Sequence, residues 1–151
     1  MIKESLQDRY RNDRHRVVSN ILYTSNSVAA RLQKILNGSG LTLQQYNILR
    51  ILSRQHPKPA CNCTIREQML DTRSDITRIV DRLVKEGLAV RKTCNNDRRK
   101  VSITITDKGL ALLEHIRGLH DQMDGITGLL TEQELFELNR LLDKVRTGET
   151  S

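Results

Sequence analysis

The basic side chains between residues 73 and 100 are the most distinctive chemical groups in this 151-residue chain. This stretch holds nine Lys or Arg residues and four Asp or Glu residues, so it accounts for five of the chain's seven excess positive charges. Guanidinium groups bind phosphate and can read the edge of guanine, and basic residues that neutralise phosphates release condensed counterions. The charge pattern therefore predicts a polyanionic partner, with double-stranded DNA as the first candidate.

A β-hairpin is predicted to present part of this charge. Apolar and polar residues alternate from 100 to 106, which is typical of a half-buried strand. Residues 88–94 can form the partner strand, and the Asn and Asp residues at 95–97 are typical of a tight turn. We therefore expect a hairpin whose tip carries three consecutive basic side chains, Arg98, Arg99 and Lys100.

A helix-turn-helix unit is predicted immediately before the hairpin. Helical patterns begin at Thr42, Thr64 and Thr72, and each of these residues is followed three positions later by Gln, Glu or Asp, which makes a capping box. The last helix spans about Arg73–Glu86, and its N-terminal part would enter the major groove of DNA. Asp75 is expected to serve first as a helix cap. The predicted DNA contacts on this helix are Arg73, Ser74, Asp75, Thr77, Arg78 and Arg82.

Long aliphatic helices are predicted on both sides of this unit. Apolar residues recur at helical spacing over 14–36, from 107 towards 130, and from Thr131 onwards. Glycines in the second of these helices can bend or break it. This aliphatic surface exceeds what one small domain needs internally, which favours an intertwined dimer interface, although the same helices could complete the core of a monomer.

The predicted fold class is mainly α with a small β-hairpin wing. A winged helix-turn-helix DNA-binding domain is expected at 37–106, flanked by a helical dimerisation region formed by 1–36 and 107–151. A homodimer would present two recognition helices about 34 Å apart and would favour a near-palindromic DNA site.

Two segments of the chain resemble the MarR family (multiple antibiotic resistance regulators), and the resemblance covers most of the chain. Asp97-x-Arg99, followed after five residues by Ile105-Thr106, resembles the family's wing signature with Ile in place of Leu, and residues 73–88 are similar to its recognition helix and first wing strand. The resemblance implies a dimeric winged helix-turn-helix regulator, usually a repressor relieved by a small phenolic ligand, an oxidant or another signal. It also implies that Asp97 orients the wing arginine and that Arg99 enters the minor groove.

Three cysteines are the remaining reactive groups. Residues 61–63 are predicted to form a short strand beside the wing, so that Cys61 and Cys63 could approach Cys94. One interpretation is a thiol switch, since a thiolate near Arg or Lys oxidises readily, and the other is that these are small residues without a chemical role. A zinc site formed by the cysteines and His56 has unsuitable spacing, because paired C-x-x-C motifs are absent.

An enzyme is not expected. The sequence contains no phosphate-binding glycine loop, no G-x-S-x-G elbow and no paired carboxylates at a plausible cleft, and it predicts no cofactor or metal. Without an apolar run of membrane-spanning length or a signal peptide, the chain is predicted to be cytoplasmic and to make no membrane contact. The alternative to a DNA-binding regulator is a winged-helix module for protein–protein contacts, which would not need Arg98 and Arg99.

Overall fold

The computed structural model describes residues 9–71, 73–94 and 96–148, and within them the chain is mainly helical with one β-hairpin, as the sequence predicts. The elements in chain order are α1 (Asp13–Leu36), a 3-10 turn (Asn37–Ser39), α2 (Leu43–Gln55), α3 (Asn62–Gln68), α4 (Ile76–Lys85), β1 (Ala89–Cys94), β2 (Asp97–Ile105), α5 (Asp107–Arg117), α6 (His120–Asp124), a second 3-10 turn (Gly125–Thr127) and α7 (Glu132–Thr147). Contacts divide the chain into two compact units, one ending at Leu119 and one beginning at His120. Among the described helices, none is both long and apolar enough to cross a bilayer.

Helix α2 is the centre of the first unit, where it contacts α1, α3, α4, α5 and β2. The predicted capping box begins it: Thr42 Oγ1 accepts a hydrogen bond from the Gln45 backbone N–H at 3.1 Å, and Gln45 Oε1 accepts one from the Thr42 N–H at 2.8 Å. Gly40, with φ +74°, turns the chain from α1 towards α2. The buried residues of α2 supply a large part of the core and are Gln45, Tyr46, Asn47, Ile48, Leu49, Ile51 and Leu52.

The β-hairpin packs one face of its second strand into the core. β1 and β2 pair antiparallel, from Ala89 opposite Ile105 to Thr93 opposite Val101. Ile103 and Ile105 are buried, which confirms the alternation predicted for this strand. The wing is therefore held to the helices by its aliphatic side chains.

A single β-bridge takes the place of the strand predicted at 61–63. Ala60 exchanges two backbone hydrogen bonds of 2.8 Å with Ile103, whereas Cys61 is already the N-cap of α3. The Cys61 Sγ accepts a hydrogen bond from the Thr64 N–H at 3.3 Å. The strand prediction for Cys61–Cys63 and the capping box predicted at Thr64 are therefore both wrong, because the helix starts earlier than the sequence pattern indicates.

Helix α4 begins later than the predicted start at Arg73. Its N-cap is Asp75, whose Oδ1 accepts a hydrogen bond from the Arg78 N–H at 3.2 Å. The capping role predicted for Asp75 is confirmed. Asp75 is, however, the N-cap itself and not the N3 residue of a capping box that begins at Thr72. Thr72, the predicted cap, lies outside the described residues, and Arg73 precedes the helix in a turn.

The helix predicted from 107 towards 130 is interrupted. α5 begins after Thr106, whose hydroxyl oxygen accepts a hydrogen bond from the Gly109 N–H at 3.1 Å, and it ends at Arg117. Gly118 is its C-cap, in keeping with the low helix propensity of glycine. The short helix α6 and a 3-10 turn follow.

Helix α7 begins at the capping box predicted for Thr131. Its sequence carries an apolar stripe, yet none of its sixteen residues is buried. Helix α1 is also largely uncovered, since Leu36 is the one residue of this helix that is buried. The assignment of 1–36 and 107–151 to a dimerisation region, and of 37–106 to DNA binding, stays a prediction.

Candidate nucleic-acid interface

The segment before α4 presents the first two of the predicted contact residues. The Arg73 backbone N–H lies 3.0 Å from Asp71 Oδ1, and the Ser74 N–H lies 3.4 Å from the Asp71 carbonyl oxygen. The Arg73 side chain is 92% exposed, whereas Ser74 is half-buried. Both residues therefore lie in a turn that leads into the helix, not on the helix where the sequence pattern puts them, because Asp71 takes up their backbone N–H groups.

Helix α4 has an inward apolar face and an outward polar one. Its buried residues are Ile76, Val80 and Leu83. The exposed residues include the three other helix contacts that the sequence predicts, Thr77, Arg78 and Arg82. Arg78 and Arg82 are one turn apart, so they share a face of the helix. The structure thus brings together the polar side chains that the sequence pattern selects on this helix.

The backbone of the wing arginine, Arg99, is hydrogen-bonded to the residue two positions before it. Asp97 Oδ1 accepts a hydrogen bond from the Arg99 backbone N–H at 3.0 Å. The side chains of Arg99 and Lys100 are exposed, and the side chain of Arg98 lies outside the described part of the chain. This bond positions the Arg99 backbone, and the orienting role that the resemblance implies for Asp97 stays a prediction.

An irregularity in the hairpin register determines where the three basic residues lie. The pairing passes from Thr93 opposite Val101 to Cys94 opposite Asp97, so β2 has three more residues than β1 at this point, namely 98–100. The basic residues therefore lie in a bulged start of β2 and not in the turn itself. Because residues in a bulge are released from ladder pairing, they can be directed away from the sheet.

The aspartates of this region share one pattern of hydrogen bonding. Three of them accept a hydrogen bond from the backbone N–H of an arginine two or three positions later, in the pairs Asp71–Arg73, Asp75–Arg78 and Asp97–Arg99. The fourth, Asp81, forms an ion pair with the side chain of Arg91. Each carboxylate is thus used to fix local structure, and the exposed surface around it is dominated by basic groups.

The ion pair between Asp81 and Arg91 joins α4 to β1, and the sequence pattern does not predict it. The two side chains are 50% and 33% exposed, respectively. The sequence does show opposite charges on the polar face of the helix and on the strand that follows it, and this is the signal that could have indicated the pair. Their contact depends on how sharply the chain turns at Gly87, which has φ +74°, and the sequence pattern does not specify that angle.

Two of the three cysteines lie at the start of α3. Cys61 and Cys63 are exposed, while Cys94 ends β1 and its side chain is outside the described part. The Thr64 hydroxyl, 3.2 Å from the Cys61 Sγ, and the Thr64 N–H lower the pKa of this thiol below its ordinary value, because they stabilise the thiolate. Within the described ranges, no group of three or more His, Cys, Asp or Glu side chains is placed to hold a metal ion.

The chain is similar to transcriptional regulators over most of its length. The MarR family model matches residues 41–101. A MarR transcription factor from Planctomyces limnophilus is 32% identical with a TM-score of 0.67, over 85% of this chain and 93% of that one. The HTH-type transcriptional regulator FarR of Neisseria gonorrhoeae is 28% identical over 123 residues, which cover 81% of this chain and 83% of FarR. BpsR of Bordetella bronchiseptica, whose DNA binding is regulated by 6-hydroxynicotinic acid, has a TM-score of 0.79 at 23% identity, over 87% of this chain and 98% of BpsR.

Proposed function

This chain belongs to the MarR family of transcriptional regulators, and we propose that it is a dimeric repressor that binds operator DNA through α4 and the wing. The N-terminal part of α4 would lie in the major groove, and Arg99 would enter the minor groove, where the negative potential favours arginine. The observation that carries the proposal is the exposed basic surface of α4 and β2, whose aspartates are engaged in hydrogen bonds. Because such a regulator acts on chromosomal DNA, we expect it in the cytoplasm, without catalytic activity.

The proposed interface assigns different roles to its residues. Thr77 and Arg78 would contact base edges, and Asp75 and Asp97 would orient the backbone that carries the arginines. The remaining residues would contact phosphates or the minor groove, and they are Arg73, Ser74, Arg82, Arg98, Arg99 and Lys100. Phosphate contacts set affinity and register, whereas base contacts set sequence preference.

The homodimer is supported by the terminal helices. α7 has an apolar stripe but no buried residue, and a helix of this kind gains stability mainly by packing its apolar face against a partner. A second copy of the chain would supply that partner and a second recognition helix. The preferred DNA site is then near-palindromic, with half-sites about 10 bp apart.

The proposal is tested by selecting duplexes from a random-sequence pool and measuring their affinity as a function of salt. We expect an enriched inverted repeat and a steep salt dependence. Arg99→Ala should weaken binding to all selected sequences by about tenfold and reduce the salt slope by about one, whereas changes at Thr77 or Arg78 should alter the preferred sequence. Arg117→Ala, which removes one positive charge from α5, is the matched control and should have a much smaller effect.

A pool without enrichment and a flat salt dependence would contradict the proposal. In that case the winged helix would serve a protein partner, and replacing both Arg98 and Arg99 by Ala should leave its binding to that partner intact.

The first candidate signal is a small molecule that releases the protein from its operator. The fold shared with BpsR, whose DNA binding is regulated by 6-hydroxynicotinic acid, supports it. A panel of phenols and aromatic acids added to the protein–operator complex tests it. Dissociation at micromolar to millimolar ligand is expected for at least one member of the panel.

Oxidation of a thiol is the second candidate signal. The hydrogen bonds that stabilise the Cys61 thiolate support Cys61 as the reactive group, with Cys63 next to it on α3 and Cys94 in the wing. Peroxide should then lower operator affinity in the native protein but not in Cys61→Ser. Unchanged affinity after peroxide treatment, with the thiol shown to be oxidised, would exclude this signal.

A further inference from the structure

The base of the wing is attached to α4 and α5 at one corner, residues 86–88. The Leu88 N–H donates to the Leu83 carbonyl oxygen at 2.9 Å, and the Thr106 hydroxyl donates to the Gly87 carbonyl oxygen at 2.7 Å. The Lys108 ammonium group donates to the Glu86 carbonyl oxygen at 2.8 Å. These bonds fix where the wing starts. Further along the wing, Ile103 of β2 is buried and exchanges two backbone hydrogen bonds with Ala60, which holds β2 against the core. The direction of β1 relative to α4 depends in addition on what joins these two elements beyond the corner.

The Asp81–Arg91 ion pair joins β1 directly to α4, at the position of the hairpin where Arg91 lies opposite Ile103. Asp81 lies more than one helical turn before the corner, and Arg91 lies three residues beyond Leu88 on β1, so the pair bridges the two elements away from their junction. Asp81 is half exposed and Arg91 one-third exposed, so solvent screens part of their attraction and the pair contributes at the modest level of a surface ion pair. The pair can therefore add to the restraint that the corner and Ile103 place on the angle between α4 and the wing.

The Asp81–Arg91 pair differs from four other ion pairs in the described part of the chain. Those four join residues two or three positions apart in sequence: Asp71–Arg73, Glu114–Arg117, Glu137–Arg140 and Asp143–Arg146. Asp81–Arg91 instead connects two different elements, and these are the two elements that carry or support the proposed DNA contacts.

We propose that Asp81 and Arg91 are positioning residues, which hold the wing at the angle to α4 that allows both to contact one duplex. The inference rests on the proposed function of this surface. When two contacts are held in the geometry that their target requires, binding one raises the effective concentration of the other. A wing whose angle to α4 is less restrained loses part of this gain, so its arginine contributes less to affinity even though the arginine itself is unchanged.

Charge alone predicts the opposite result, which makes the proposal testable. Asp81 is an anion on the exposed face of the helix that approaches phosphates, so neutralising it should strengthen DNA binding if it has no positioning role. With the positioning role, Asp81→Asn should weaken operator binding about two- to fivefold, the range that corresponds to one exposed or partly exposed ion pair. The sign of the change therefore separates the two interpretations.

The experiment compares Asp81→Asn with Glu67→Gln, which makes the same change of charge on the exposed surface of α3. Operator affinity is measured by fluorescence anisotropy at fixed salt, for each variant alone and combined with Arg99→Ala. We expect Asp81→Asn to bind more weakly than the native protein and Glu67→Gln to bind equally or slightly more tightly. Arg99→Ala should cost less affinity in the Asp81→Asn background than in the native one, since one restraint on the angle of the wing has been removed.

Asp81→Glu, which keeps the carboxylate, should restore most of the affinity, and circular dichroism should show the same helix content for all variants. The proposal is overturned if Asp81→Asn binds as tightly as Glu67→Gln and if Arg99→Ala costs the same in both backgrounds. If instead the native protein itself shows no selective or salt-dependent DNA binding, the proposed function has failed.

Discussion

Helices α2 and α7 begin with the same capping motif, but α2 packs in the core and α7 has no buried residue. Each starts at a threonine that forms a capping box, Thr42 with Gln45 in α2 and Thr131 with Glu134 in α7. Seven of the thirteen residues of α2 are buried, whereas none of the sixteen residues of α7 is. Local signals thus determine where a helix begins, and burial depends on which surface is available to cover it. α2 finds that surface within its own chain, and we propose that α7 finds it in a second copy.

The largest effect is expected from a charge placed on the apolar stripe of α7. Leu141→Glu should dissociate the dimer, because a carboxylate in an apolar interface is left without a partner. Loss of the second recognition helix should then lower operator affinity by about 10²- to 10⁴-fold. Light scattering coupled to size exclusion measures the mass, and anisotropy measures the affinity.

The matched control for this change is Asp143→Glu, which alters a neighbouring residue of α7 but keeps its negative charge. It should leave both mass and affinity unchanged. A Leu141→Glu protein that remains dimeric would show that α7 is not covered by a second copy, and the comparison between the two helices would need another explanation.

A cavity in the core around α2 should have the next largest effect. Leu49 has no exposed surface, and Leu49→Ala is expected to destabilise the fold by about 2–5 kcal/mol through lost burial and a residual cavity. Leu49→Met, which conserves volume, should cost less than about 1.5 kcal/mol. Urea unfolding at a fixed protein concentration measures both. Equal losses for the two variants would mean that this part of the core can rearrange to fill the space.

Helix α5 packs closely against the corner of the wing, and this close approach depends on Gly109. A Cβ atom at Gly109 would lie 2.5 Å from the Leu88 carbonyl oxygen and 2.7 Å from Ile105 Cγ1, so the helix is held against the corner of the wing only because residue 109 lacks a side chain. Gly109→Ala should therefore destabilise the protein by about 1–3 kcal/mol, in spite of the higher helix propensity of Ala.

The control for Gly109→Ala is Gly125→Ala, since a Cβ atom at Gly125 meets nothing within 4 Å. This change should be neutral or slightly stabilising. If Gly109→Ala were also neutral in thermal unfolding, α5 would have room to move away from the wing, and the corner would be less rigid than the distances indicate.

The sequence predicts the element types better than the details of their ends. The capping boxes at Thr42 and Thr131 form as predicted, and at α2 the Gln33 Oε1 atom accepts a further hydrogen bond from the Leu43 N–H at 2.7 Å. At the other two helices, Cys61 and Asp75 are the N-caps instead. A polar side chain upstream or downstream can take over capping, and the capping-box pattern alone does not distinguish these cases.

The candidate site could be predicted as a set of residues but not as a geometry. Alternating apolar residues and clustered charge are enough to select the wing and the exposed face of α4. The bulge at 98–100 and the contact of Asp81 with Arg91 depend on register and on the angle between elements, which are set by packing in three dimensions. Sequence periodicity indicates which face of a helix or strand is buried, but it says little about the angles between elements.

The smallest expected effect concerns the N-cap of α3 and leaves the fold intact. The Thr64 hydroxyl and then the Thr64 N–H lower the pKa of Cys61, so its thiolate should be populated at lower pH in the folded protein than in the unfolded one. Alkylation by iodoacetamide as a function of pH, followed for Cys61 by mass spectrometry of its peptide, measures this pKa. Thr64→Val removes the hydroxyl but keeps the backbone N–H, and it should shift the midpoint of alkylation upwards. The same peptide in denaturant provides the ordinary value, about 8.5. A folded midpoint equal to that value would mean that the cap hydrogen bonds do not stabilise the thiolate, and the case for Cys61 as an oxidant-sensitive residue would lose its support.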